Sequence, residues 1–165
     1  MSGPRCLLPR RSSFANLFEK SSHMKKTYIA KKSLVVNAPA ARVWQALTRP
    51  ELVREYLFGT EMTADWRVGG AITYRGQWEG KAYEDKGSVL ILEPEKRLQT
   101  TYFSPLAGLE DKPENYSTVT YDLTEVKGRT TLTVAQDNNP SPESAEHSAK
   151  NWAMVLEGLK KLLES

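Results

Sequence analysis

Apolar positions along this chain follow two different periods, and the point where one gives way to the other divides it. Thr27–Asn37 has an extended pattern ending in Leu34-Val35-Val36, which predicts a strand. Pro39 then stands where proline is tolerated, at a helix start, and Val43, Trp44 and Leu47 follow on one helical face. A second short helix opens at Pro50 and carries Leu52, Val53 and Tyr56. Thr48-Arg49-Pro50 marks the break between the two, because the residue before a proline disfavours helix.

From Gly59 the period falls to two. Ile72, Tyr74, Gly76 and Trp78 share one strand face, and Thr73, Arg75, Gln77 and Glu79 share the other. Gly80 supplies a turn, Tyr83–Leu92 forms the next strand, and Leu98, Thr100 and Tyr102 alternate in another. A loop at Ser104–Asn115 follows, long enough to be either a functional flap or simple decoration. Val119, Tyr121 and Leu123 then pair with Leu132 and Val134 across Lys127-Gly128, a hairpin.

Asn138-Asn139-Pro140 ends the strands. Ser141 is an N-cap, Pro142 takes the first helical position and Glu143 favours the positive end of the helix dipole. Ala145, Ala149, Trp152, Leu156, Leu159 and Leu163 recur at steps of three and four, the clearest helix in the chain. The predicted order is a strand, two short helices, about six further strands and one long helix. An antiparallel sheet must cover one face, and only the long helix is large enough to do so. The fold class is therefore α+β: a helix-grip in which a curved antiparallel sheet of about six to seven strands is crossed by the C-terminal helix.

Four segments carry a resemblance: NAPAARVWQALTRPELVREYLFG (37–59), WRVGGAITYRGQWEGKAYEDKGSVLILEPEKRL (66–98), TVTYDLTEVKGRTTLTV (118–134) and NWAMVLEGLKKLLE (151–164). Together they resemble the START-like (SRPBCC, Bet v 1-like) superfamily. The nearest branch is that of bacterial single-domain proteins similar to the C-terminal domain of the Hsp90 ATPase activator. Val43–Pro50 and Gly69-Gly70 are the most specific parts. The resemblance implies a hydrophobic pocket between sheet and long helix, a cytoplasmic location and a link to stress response. It carries over no catalytic residue, because one fold hosts many functions.

Charge sharpens the domain boundary. Residues 1–24 hold Arg5, Arg10, Arg11 and Lys20 against Glu19, which accounts for the whole net charge of +3. The remaining residues, 25–165, carry 19 basic and 19 acidic groups, unlike a nucleic-acid binder. The leader ends in Ser21-Ser22-His23-Met24, and three origins fit it: a cloning junction, a transit peptide, or a natural disordered extension. In each case it lies outside the fold. No apolar run reaches the roughly 20 residues that span a bilayer.

Polar chemistry is sparse. The single cysteine, Cys6, is in the leader, so 25–165 has no disulfide, thiolate ligand or cysteine nucleophile. His147 and Glu143 share a helix face, but nothing completes a metal site around them, and no metal or cofactor is expected. No serine lies in a nucleophile elbow. Gly69-Gly70 reads as a bend into a strand rather than a phosphate loop. Glu79, Glu84 and Asp85 flank a turn, where acids are usually solvated, the alternative being a buried carboxylate acting as general acid or base.

Aromatic residues carry more information. Trp44 reads as core. Trp66, Tyr74, Trp78, Tyr83, Tyr102, Tyr121 and Trp152 include several at inward positions, and buried tyrosine hydroxyls need partners. Gly76, between Tyr74 and Trp78, leaves open space, and Trp152 and Leu156 are one turn apart on the covering helix. These nine residues are the candidate ligand-binding set, since an apolar space with a few convergent hydroxyls suits a small molecule. The expected function is binding of a small hydrophobic ligand. Two alternatives stand beside it: a co-chaperone or protein-interaction module of Hsp90-activator type, and a polyketide cyclase/dehydratase-like enzyme. A carboxylate or histidine inside the cavity would favour the enzyme.

Overall fold

A computed structural model describes residues 26–165, so the leader reading at 1–24 lies outside the described residues. The chain starts with strand β1 (Tyr28–Val36), helix α1 (Ala40–Thr48) and helix α2 (Pro50–Tyr56). Six strands follow: β2 (Glu61–Ala64), β3 (Ala71–Trp78), β4 (Lys81–Glu93), β5 (Arg97–Tyr102), β6 (Ser117–Val126) and β7 (Arg129–Asn139). Helix α3 (Pro142–Glu164) closes the chain. The strands form one seven-stranded antiparallel sheet in the order β1-β7-β6-β5-β4-β3-β2. This is the expected helix-grip arrangement.

Turn chemistry sets the registers. Lys127 (φ 53°) and Gly128 (φ 77°) form a two-residue turn with both centres left-handed, the type that matches strand twist. It places Leu123 opposite Leu132 and Tyr121 opposite Val134, as the alternation requires. Glu79 and Gly80 do the same between β3 and β4, pairing Gly76 with Tyr83 and Tyr74 with Asp85. At Gly69-Gly70, φ at Gly69 is +85°, and a Cβ on Gly70 would lie 1.9 Å from the Asp65 carbonyl oxygen. The bend therefore needs both glycines.

Helix α3 is capped as its sequence predicts: the Ser141 hydroxyl accepts from the Ser144 amide at 3.0 Å. Helix α1 is capped from a distance. Pro39 offers no side-chain acceptor, and the Ala40 amide instead donates to the Glu125 carboxylate at 2.7 Å, at the end of β6.

Burial divides into two clusters. Val36, Val43, Leu132, Val134, Leu156 and Leu159 pack together between β1, β6, β7, α1 and α3. Val53, Met62, Ile72, Val89 and Leu98 pack beneath α2. Each fully buried aliphatic side chain stabilises the fold by roughly 1.5–3 kcal/mol. Trp44, Tyr56 and Tyr121 pack against both clusters, so the core reading of Trp44 holds.

The segment between β5 and β6 covers the outward side of the sheet. Phe103 is buried there under Tyr116, ring centroids 5.0 Å apart. Tyr116 donates to Asp111 at 2.6 Å, Lys86 pairs with Asp111, and Asn138 donates to the Glu114 and Tyr116 carbonyls. Of the two readings of this loop, these ties favour structural cover over a flap. No helix among the described residues is long and apolar enough to cross a membrane.

Candidate functional site

The inward faces of β3, β4, β5 and β6 converge on one cluster of phenols and a carboxylate. Residues directly opposite in an antiparallel pair point the same way, so Tyr74 and Asp85 share the inner face. Tyr102, on β5, donates its hydroxyl to Oδ2 of Asp85. The Tyr74 and Tyr102 rings lie 6.2 Å apart between centroids. One strand further, Tyr121 meets Trp152 of α3 edge-on at 5.9 Å, and the Trp152 indole donates to Gln136 at 2.8 Å.

Partial burial and the neighbouring groups shift the phenols in one direction. Burial, and then the Asp85 charge, push the Tyr74 phenol up to about 12. Tyr102 is raised by burial and then by its bond to Asp85, and Tyr121 by burial and the neighbouring phenols. Yet Tyr74, Tyr102, Tyr121 and Trp152 are only half-buried, not sealed like the aliphatic residues around them. The hydroxyls of Tyr74 and Tyr121 bond to no other described residue, and neither is walled off from accessible space.

Asp85 is the residue that sequence reasoning missed. It is 8% exposed, not solvated, and its Oδ1 is buried with no hydrogen-bond partner among the described residues. The signal was present: the Glu79-Gly80 turn fixes Trp78 opposite Lys81, and counting back puts Asp85 opposite Tyr74. Thr60, 3% exposed, is a second omission. It shares a 2.5 Å hydrogen bond with the Tyr83 hydroxyl.

The other candidates separate. Gly76 does not leave open space: the Tyr83 ring lies across it, and a Cβ there would sit 2.5 Å from the Tyr83 hydroxyl. Trp78 is not on a dry face. It shares the parity of Tyr74 but lies at the strand end beside the turn, 56% exposed, where it meets Phe58 edge-on at 6.1 Å. Trp66 donates its indole N–H to the Thr48 carbonyl at 3.0 Å and packs against the α2 cluster. Leu156 is sealed in the larger cluster rather than facing open space. The predicted meeting of Tyr74 and Trp78 with Trp152 and Leu156 is thus replaced by one of Tyr74, Asp85 and Tyr102 with Tyr121 and Trp152. His147 and Glu143 lie exposed on α3.

A shallow open groove of about 560 Å³ also lies at the β2–β4 end of the sheet, and two of the expected site residues, Gly76 and Tyr83, line it. Glu61, Arg75, Gln77 and Glu84 line it, with Arg75 and Glu84 paired at 3.0 Å. Its charged walls make it a poor apolar site, and the inner cluster is the better candidate.

Comparison with known proteins extends this geometry. The family described as activator of Hsp90 ATPase homolog 1-like protein matches residues 37–164. This chain belongs to that family. A similar family structure is the solution structure of a Cytophaga hutchinsonii protein at 47% identity and TM-score 0.74, covering 83% of this chain and 94% of that one. A Chromobacterium violaceum protein follows at 25% identity and TM-score 0.71, covering 83% and 97%. The Aha1 dimer from Colwellia psychrerythraea, at 19% identity and TM-score 0.64 over 83% and 96%, shares the fold. A search of curated proteins gave no match. The activator-like family segment runs from just before α1 to the end of α3 and so includes every residue of the inner cluster.

Proposed function

We propose that this protein binds a small, largely apolar molecule between the inner sheet face and α3. The observation that supports it is the wall of half-buried rings at Tyr74, Tyr102, Tyr121 and Trp152, with hydroxyls at Tyr74 and Tyr121 that bond no other described residue and stay open to the space before them. An apolar wall with a few open polar groups is the usual make-up of a small-molecule site. Titration with Nile red, a neutral apolar fluorophore, tests the reading. Saturable, stoichiometric binding that weakens when Tyr121→Ala and Trp152→Ala strip the wall supports it. Absence of saturable binding by the intact protein overturns it.

One observation favours a second reading. A buried carboxylate on the inner sheet face, Asp85, is what acid–base chemistry of the polyketide cyclase/dehydratase kind needs. Mass spectrometry of a bound molecule before and after incubation separates the two. Unchanged mass and fragmentation fit binding alone, and a product fits the enzyme.

A further inference from the structure

The unpartnered oxygen of Asp85 defines more than a dry wall. A carboxylate this buried is costly unless its oxygens are bonded, and native proteins leave few such acceptors empty. Oδ2 is satisfied by the Tyr102 hydroxyl, whereas Oδ1 has no partner among the described residues. Of the neighbouring donors, Tyr83 bonds Thr60, while the Tyr74 hydroxyl, on the residue opposite Asp85, bonds no described residue and does not close on Oδ1. Asp85 takes part in none of the ion pairs among the described residues, all of which join other side chains. Oδ1 is therefore a buried acceptor on the inner face, fixed by bonds across two strands and framed by the Tyr74 and Tyr102 rings.

We propose that Asp85, held by Tyr102, is the anchor for a hydrogen-bond donor on the ligand, so that the cavity selects apolar molecules ending in an alcohol or amine and rejects those ending in a carboxylate. This rests on the ligand-binding reading above and names its ligand class. An alcohol or ammonium group completes the empty position of Oδ1, whereas an anion meets a like charge in a medium of low dielectric. Residues 25–165 carry equal numbers of acidic and basic groups, so long-range attraction does not favour either sign.

The experiment displaces Nile red with octanol, octylamine and octanoate, which share a chain and differ at the head. A hydrogen bond to a charged group is strong enough that the alcohol and amine should compete at least about tenfold better than octanoate. In Asp85→Asn the Tyr102 hydroxyl still has the amide oxygen to bond, so the amide nitrogen faces the ligand as a donor. The order should then invert, with octanoate gaining, whereas a purely structural Asp85 would alter stability and leave the order unchanged. If Asp85→Asn does not fold, the wild-type series decides alone. Equal competition by the three, or a preference for octanoate, overturns the anchor while Nile red binding keeps the cavity. Failure of Nile red itself to bind removes the cavity, and the anchor with it.

Discussion

Gly76→Ala is the change whose outcome the structure fixes most tightly, because its sign depends on a single neighbour. The backbone at Gly76 is ordinary strand, so alanine meets no conformational penalty. Its Cβ would lie 2.5 Å from the Tyr83 hydroxyl oxygen, 2.8 Å from Cζ and 3.0 Å from Cε1. Carbon contacts are comfortable at about 3.5–4.0 Å, so the ring must move by about 1 Å. That movement breaks the 2.5 Å bond to Thr60, whose hydroxyl is then buried without a partner. Leaving such a group unsatisfied costs about 1–3 kcal/mol. Against it stands the benefit of replacing glycine in a compatible position, about 0.4–1 kcal/mol. The net expectation is a loss of about 1–2 kcal/mol, a fall in thermal midpoint of about 3–8 °C for a domain of this size. In a Tyr83→Ala background the obstacle is gone, and the same substitution should stabilise by about 0.5–1 kcal/mol. Thermal and urea unfolding of the four proteins in this cycle give the answer. The same sign in both backgrounds would refute the reasoning.

Two further outcomes follow from contacts outside the cavity. Glu125→Ala removes the only side-chain acceptor found for the first turn of α1 among the described residues and should cost about 1 kcal/mol in urea unfolding, while Glu125→Gln, which keeps an acceptor, should recover most of it. Asp111 is held below its ordinary value by its bond to Lys86 and then by the Tyr116 hydroxyl, so its tie to the β5–β6 segment is present above the ordinary carboxylate range and is lost as pH falls through the lowered value. Hydrogen exchange in 104–116, corrected for intrinsic rates, should therefore rise at pH values below about 4, and Asp111→Asn should abolish that dependence.

Strand pairing and the closing helix were legible because local chemistry determines them. Lys127-Gly128 can close only a short hairpin, which fixes Leu123 against Leu132, and Ser141-Pro142 with apolar residues at helical spacing admits only one element. Strand β2 was not legible as a unit, since Glu61–Ala64 is four residues long and shows too little alternation. Parity also fails to say where a cover ends. Trp78 has the same parity as Ile72, but Ile72 lies among the α2 cluster while Trp78 lies past its edge. Asp85 was hidden by its chemical type rather than its position: its register was countable, but an acid near a turn is usually solvated. What distinguishes it is the company of Tyr74 and Tyr102, which comes from three strands at once.

Division of the core into two packing clusters has a mechanical consequence. One body comprises α1, α3, β1, β6 and β7; the other comprises α2 with the inner sides of β2, β3, β4 and β5, and the two share Trp44, Tyr56 and Tyr121. Each of these three rings buries a large area and holds a specific geometry in a close-packed interior. The two bodies thus meet through the rings of Trp44, Tyr56 and Tyr121. A substitution at any of these three therefore loosens both clusters at once, whereas an aliphatic substitution inside one cluster acts on that cluster first.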